Sequence, residues 1–395
     1  MMQSSEALPL AGLKVIEFTH MVMGPSIGVI LADLGAEVTK VEPLGGDATR
    51  RLLGAGSGYF PTFNRNKRSI CLDLKSVDGL GVAKKLCAGA DIVVENFRAG
   101  TMDKLGLGYA ALSAENERLI YCSAKGFLPG PYENRTALDE VAQMMGGLAY
   151  MTGPVGRPLR AGSSVIDITG GMFGVIGVLA ALEQRHGTGK GKYVTCSLYE
   201  TTAFLVSQHM AQLAATGKPA QPMPSRVSAW AIYDLFETSD DERVFVGVVS
   251  DSQWVTFCKA FDLGELGDNA DYKANNARVL ARDVIIPRVQ AIFKAMTKAE
   301  LLAKIESIGL PFAPVTKPEE LFEDKHLNES GGLVDLTIPG GAKTKLPALP
   351  ISMDGARFGS TLDVPHIGEH SREMLVELGL DEAEIERLLA AGAVG

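Results

Sequence analysis

Lys14-Val-Ile-Glu-Phe18, Pro25-Ser-Ile-Gly-Val-Ile-Leu-Ala-Asp-Leu34 and Glu37-Val-Thr-Lys-Val41 follow one another near the start of the chain. The first and third are short runs rich in apolar and β-branched residues, which suit strands. The middle run has helical length and carries Pro25 in its first turn, where a missing N–H costs no hydrogen bond. Strand, helix and strand in so short a span form the unit of a parallel sheet. The alternation continues outward, with a helix at Gly79–Ala88 and strands at Asp91–Val94 and Leu119–Ser123. The fold class is therefore α/β with a mostly parallel sheet. From Met172 to about Ala215 the pattern reads as helical throughout.

The pattern then changes. Gly217–Ser225 is rich in Pro, Gly and small residues and reads as a linker. Ala231–Thr238 and Val244–Val249 read as strands joined by the acidic turn Ser239–Glu242. Helices are expected at Gln253–Phe261, Val284–Met296 and Lys298–Ile308. This gives a smaller α+β domain over 225–325. The large domain takes 1–215 and 330–395, with linkers at 216–224 and 326–329. In the tail, Ser371–Leu378 and Glu382–Ala391 read as helices. Asp381 and Glu384 have capping-box spacing, and Gly392 is a stop.

Composition narrows the function classes. The chain has 395 residues, 38 basic against 47 acidic, and a formal net charge of −9. General binding to a phosphate backbone rests on clustered Lys and Arg, so nucleic acid is not an expected partner. Cys71, Cys87, Cys122, Cys196 and Cys258 are odd in number and scattered, offering neither a zinc site nor a disulfide framework. Buried thiols in a reducing compartment, the cytoplasm, are the expectation, and the N-terminus lacks the basic-then-apolar pattern of a secretion signal. Ile166–Leu182 is apolar apart from Asp167 and Thr169, but it is short for a membrane span and carries Gly170, Gly171, Gly174 and Gly177. A helix packed closely inside the protein is expected there, not a membrane contact.

Familiar motifs fail on spacing. Gly106-Leu-Gly108-Tyr-Ala-Ala111 follows a polar helical stretch instead of a strand, so it is no dinucleotide fingerprint. Gly187-Thr-Gly-Lys190-Gly-Lys192 lacks phosphate-loop spacing. His366 and His370 do not form an H-E-x-x-H motif, and no metal site is expected. What remains is Asp167 in Ser163-Ser-Val-Ile-Asp167-Ile-Thr-Gly-Gly171, a lone carboxylate opening an apolar helix. There the helix dipole would hold it ionised. The two following glycines would let a substrate approach the backbone. Asp is also a preferred N-cap, so a structural reading and a nucleophilic one both stand at this point.

One set of stretches carries a resemblance. It runs through Leu10-Ala-Gly-Leu-Lys-Val-Ile-Glu-Phe-Thr-His20 with Gly24-Pro25, Leu31-Ala-Asp-Leu-Gly-Ala36, Lys40-Val-Glu42, Gly46-Asp47 and Thr49-Arg50. It continues through Asn64-Arg-Asn-Lys-Arg-Ser69, Leu72-Asp-Leu-Lys75, Val94-Glu-Asn-Phe97, Gly130-Pro-Tyr132, Pro311-Phe-Ala-Pro-Val315 and Gly368-Glu-His370. In this order and spacing the chain resembles the family III coenzyme A transferases, a group related to α-methylacyl-CoA racemases. The resemblance implies a Rossmann-like large domain made from both ends of the chain, an inserted smaller α+β domain, and an interlocked homodimer. It implies CoA thioesters as substrates, with no permanently bound cofactor. Asp167 would be the catalytic aspartate, acylated by the donor to an anhydride and then converted to an aspartyl-CoA thioester. CoA contacts would fall on His20, Met21, Val22, Leu74, Lys75, Asn96, Phe97 and Lys104.

The racemases carry a histidine before the aspartate that follows Gly-Pro-Tyr; here the site reads Ala137-Leu138-Asp139. Racemisation needs two opposed acid/base groups, so Leu138 favours transfer. A racemase and a non-catalytic CoA-binding protein are the competing readings. Succinyl-CoA is the expected donor and a dicarboxylate or its analogue the expected acceptor. The distal acid of such an acceptor needs a cation; Arg135 and Arg226 are candidates, with Asp139 as a further substrate contact.

Overall fold

The computed structural model describes residues 8–226, 228–359 and 361–395. The chain divides into two compact units, the described part of Met1–Pro224 together with Lys325–Gly395, and Ser225–Asp324.

The first unit is built on six strands: β1 Lys14–Phe18, β2 Glu37–Glu42, β3 Arg68–Cys71, β4 Ile92–Glu95, β5 Ile120–Lys125 and β6 Tyr193–Ser197. Their order is β3-β2-β1-β4-β5-β6 and every pairing is parallel. Its helices run α1 Met23–Asp33, α2 Tyr59–Asn64, α3 Val77–Ala88, α4 Thr101–Lys104, α5 Tyr109–Glu115, α6 Asp139–Met145, α7 Leu148–Thr152, α8 Val165–Thr188 and α9 Leu198–Thr216. Side chains alternate across a strand, so one strand feeds two cores. Val15, Ile92, Val94, Ile120 and Cys122 face α1 and α8. Ile16, Phe18, Val93 and Tyr121 face α3, α5 and the C-terminal helices Ser371–Glu377 and Glu382–Ala390. Burial on both faces is why the strands read as unbroken apolar runs.

Two strands of the six-stranded sheet escaped the sequence reading. β3 is short and begins with Arg68, the partly buried end of a basic stretch. β6 lies between two long helices, inside a region expected to be helical throughout. Gly189, in the left-handed region at φ 72°, ends α8. A Cβ on Gly191 would lie 1.9 Å from the Leu119 carbonyl oxygen, so only glycine lets the chain turn into β6 at that point. The tail returns to the first third: Leu72 bridges Val394, and Arg68 forms a bidentate pair with Glu377 at 2.9 Å. The stretch expected as a linker at 326–329 lies in the helical turn Lys325–Glu329 of this unit. In the last helix Asp381 accepts from the Glu384 N–H at 2.9 Å. The Glu384 carboxylate pairs with Arg387, so only half of the expected capping box forms.

The second unit has an antiparallel sheet of Ile232–Glu237, Arg243–Val248 and Phe312–Pro314. Helices Asp251–Ala260, Arg282–Phe293 and Lys298–Ser307 cover it around Trp254, Phe257 and Phe293. A complete capping box, Thr297 with Glu300, starts the last of these.

Candidate active site

The sheet order places a switch between β1 and β4, where the chain leaves in opposite directions. Ligands of open α/β sheets bind at the carboxyl ends of the strands beside such a point. His20, Met21 and Val22 form the turn from β1 into α1, and Asn96 and Phe97 leave β4 beside it. Asn96 clamps the turn: its Oδ1 accepts from the His20 N–H at 3.0 Å and its Nδ2 donates to the His20 carbonyl at 2.9 Å. The His20 and Phe97 ring centroids are 5.8 Å apart. Met21 adopts φ 62° and donates its N–H to Thr49 Oγ1 at 3.1 Å. Val22 is buried against the start of α1.

Beneath this turn lies a cluster of buried charges. Lys67 Nζ donates to both Glu17 oxygens at 2.8 and 3.0 Å and to the Pro25 carbonyl at 3.0 Å. Lys40 Nζ donates to the Thr19 carbonyl at 2.7 Å and pairs with Asp47 at 3.1 Å. Burial pushes the Lys67 ammonium down to about 8, opposed by the Glu17 carboxylate. Ionic groups out of water persist only when fully partnered. Here the partners include backbone carbonyls at both ends of the turn, so the cluster fixes the β1–α1 geometry. This is the structural content of Asn64-Arg-Asn-Lys-Arg-Ser69.

Asp167 lies in the first turn of α8, at its third helical residue. The N-cap is Ser164, whose side chain makes no cap bond. Two orphan N–H groups of that turn are taken by Asp139 at the start of α6: one of its oxygens accepts from the Ile166 N–H at 2.8 Å and the Asp167 N–H at 3.1 Å. The other accepts from Gln143 Nε2 at 2.5 Å, while Gln143 Oε1 accepts from the Ala161 N–H at 2.8 Å. Asp139 is buried and Asp167 half-buried. Among the described residues nothing donates a hydrogen bond to the Asp167 carboxylate. Burial, then the negative charge of Asp139, pushes it up to about 7, with Arg160 opposing. Arg160 is held by Glu140 at 2.8 Å. Tyr59 reaches this corner through a 3.5 Å contact of its hydroxyl with Ser164.

Two expectations are corrected here. Asp167 is neither the N-cap nor held ionised by the helix terminus, because burial raises it and Asp139 caps that terminus and adds repulsion. Gly170 and Gly171 do not open the backbone to a substrate. A Cβ on Gly170 would lie 2.9 Å from Met23 Cε, and one on Gly171 would lie 2.0 Å from Ser26 Oγ. With Gly174 against Ile27 and Gly177 against Val194, they let α8 lie directly on α1 and β6. Asp139 places both carboxylate oxygens on protein donors. The close packing also locates Asp167: Gly171 meets Met23 and Gly174 meets Ile27, so α1 and α8 run in the same direction. Their N-termini, with Asp167 on one and His20–Val22 leading into the other, share one end of the layer.

The remaining expected residues sit on other elements. Leu74 is half-buried and Lys75 exposed on the turn after β3, and Lys104 is exposed at the end of α4. Exposed Arg135 lies over the Tyr132 ring, 4.9 Å from its centroid. Arg226 belongs to the second unit. His370 accepts from the Ser69 N–H through Nδ1 at 3.2 Å, in place of any role beside His366. A recess of about 440 Å³ lies near the end of β4, lined by Arg98, Tyr109, Tyr121, Lys125 and Tyr193; Asp167 does not line it. Arg160, Gln143 and Tyr59 were absent from the sequence reading. Each reaches the site through a loop or a short helix with no spacing signal.

The chain matches the CoA-transferase family III profile over residues 10–371. It is 32% identical over 394 residues to the mouse succinyl-CoA:glutarate CoA-transferase, covering 98% of this chain and 90% of the relative. It is also 32% identical to the succinyl-CoA–L-malate CoA-transferase beta subunit of Chloroflexus aurantiacus, covering 98% of each chain. The crystal structure of a CaiB/BaiF family protein from Brucella suis superposes with a TM-score of 0.82 at 32% identity, over 94% of this chain and all of that one. The chain belongs to the family III CoA-transferases, and it is a CoA-transferase.

Proposed function

We propose that this enzyme moves CoA from succinyl-CoA to a dicarboxylic acid or a close analogue by covalent catalysis on Asp167. The observation that carries the reading is the state of Asp167: a half-buried carboxylate, without a hydrogen-bond donor, at the helix end shared with the β1–α1 turn. A structural carboxylate in such a place is normally saturated with donors. An unsaturated one is available for attack.

The chemistry runs in two mirrored halves. The Asp167 carboxylate attacks the donor thioester carbon and expels CoA thiolate, leaving an acyl-aspartyl anhydride. The thiolate attacks the aspartyl carbon, releases the donor acid and forms an aspartyl-CoA thioester. The acceptor carboxylate attacks that thioester, again expelling thiolate and forming a mixed anhydride. The thiolate then takes the acceptor acyl group and frees Asp167. The steps balance without a redox change, and each intermediate keeps the energy of the thioester. Water must stay out, because it would hydrolyse the anhydride.

In this reading His20, Met21, Val22, Asn96 and Phe97 contact CoA at the switch point, while Leu74, Lys75 and Lys104 meet it farther out. Lysines suit phosphates as point charges. The relatives named for glutarate and malate support a dicarboxylate acceptor. Arg135, stacked on Tyr132 with no acidic partner among the described residues, is the candidate for its distal acid, with Arg226 as a second. The enzyme works as an interlocked cytoplasmic homodimer with an inserted small domain. Exposed apolar side chains on α8 (Met172, Ile176) and α9 (Phe204, Met210) support a protein partner over that face. Incubation of succinyl-CoA with a panel of acids, read by mass spectrometry, tests the assignment. New CoA thioesters of dicarboxylates are expected, and none with Asp167→Ala. Turnover restricted to monocarboxylates would overturn the acceptor assignment.

A further inference from the structure

We propose that Asp139 is a positioning residue for the transfer reaction: its carboxylate caps the first turn of α8 in place of the N-cap side chain, and so fixes both the orientation of Asp167 and the charge that Asp167 faces. The proposal rests on the reading of Asp167 as the acylated group. A helix N-terminus stabilises a nearby carboxylate through free N–H groups and the dipole. A carboxylate stabilised in that way is a poorer nucleophile. Asp139 takes the Ile166 and Asp167 N–H groups for itself, so those donors cannot turn to the Asp167 side chain.

The hydrogen-bond directions set both Asp139 oxygens against donors. Gln143 Oε1 accepts from the Ala161 N–H, which aims Gln143 Nε2 as a donor at Asp139. The other Asp139 oxygen meets two helix N–H donors. Both oxygens of Asp139 therefore act as acceptors. An asparagine at 139 would set its amide hydrogens against a donor on one side or the other. Pairing it with glutamate at 143 removes that clash: the amide donates to the glutamate, which still accepts from Ala161, and the amide oxygen still caps α8. The double variant thus keeps the cap and moves the negative charge away from the α8 terminus. The other groups around Asp167 are Arg160, itself paired with Glu140, and Tyr59 beyond Ser164.

The test uses the full-length enzyme as parent, Asp139→Asn, and Asp139→Asn with Gln143→Glu. Asp167 is titrated by NMR with carboxyl-¹³C aspartate, assigned through Asp167→Asn. The acylation of Asp167 by succinyl-CoA is timed by rapid quench. In both variants the Asp167 titration is expected to fall below about 7 by the part that the Asp139 charge adds, the larger part due to burial staying in place. Acylation above that pH is expected to slow about tenfold, with KM for succinyl-CoA little changed. The double variant should recover the thermal stability that the single one loses. An acylated parent, with titration and acylation rate unchanged in both variants, would overturn the role of Asp139 alone. A shifted titration with no acyl group ever appearing on the parent's Asp167 would overturn the covalent mechanism, and the role of Asp139 with it.

Discussion

Asp167 combines two properties that follow from its surroundings, and both are measurable. Its carboxyl group is held up at about 7 by burial and by Asp139. Attack on a thioester needs the carboxylate, so the acylation rate should rise with pH through about 7 and level off above it. A rate that is flat from pH 5 to 8 would contradict the assignment. The same shift acts on stability with the opposite sense. The native state binds the Asp167 proton more tightly than the unfolded chain does, so the group favours folding below the ordinary carboxylate range. That favour is lost as pH rises through about 7. Asp167→Asn should therefore melt higher than the parent at pH 8 and much like it at pH 4. Equal melting differences at both values would refute the sign. The residue was legible in the sequence as a lone acid opening an apolar helix. Its environment was not, because Asp139 and Arg160 come from segments 28 and 7 residues upstream that only tertiary structure brings near.

At the scale of elements, two contacts hold the site: the glycine face of α8 on α1, and the buried charges under the β1–α1 turn. A methyl group on Gly171 would enter the space of Ser26 Oγ and press on the Met23 carbonyl, which lies 2.9 Å from the Cβ position. Gly171→Ala should cost about 1–3 kcal/mol, the range for overpacking a tight interior, and lower the transfer rate more than Gly187→Ala, whose Cβ meets open space. Lys67→Met strips Glu17 of its closest cation while leaving it buried. Breaking one partner of such a pair costs about 3–5 kcal/mol; chemical denaturation reads both values. Removing Glu17 as well, with Glu17→Gln and Lys67→Met together, should recover part of the loss. The alternating elements at the start of the chain were legible because strand and helix periods differ sharply there. β6 was not, since five residues between two apolar helices lack the length to show their own period. The glycines were legible as a sign of close packing; which partner they packed against was decided by α1.

For the whole molecule, the first unit joins both ends of the chain around one sheet, and the tail contacts at Arg68, Ser69 and Leu72 lock it. The expectation of a separate region beginning near Ser225 came from a change of pattern, which marks a new core as well as a new topology. The proposed homodimer would cover the exposed apolar face of α8 and α9. Light scattering should give twice the chain mass, and Ile176→Glu with Phe204→Glu should reduce it to one chain with loss of activity. A parent that runs as a monomer and is fully active would remove the dimer from the account. The covalent role of Asp167 is the central claim. Its most direct test is to incubate the enzyme with succinyl-CoA without acceptor, quench with hydroxylamine or borohydride, and map the peptides by mass. The account predicts a modified residue at Asp167, absent in Asp167→Asn; an unmodified Asp167 peptide, from enzyme that transfers CoA once an acceptor is added, would contradict it.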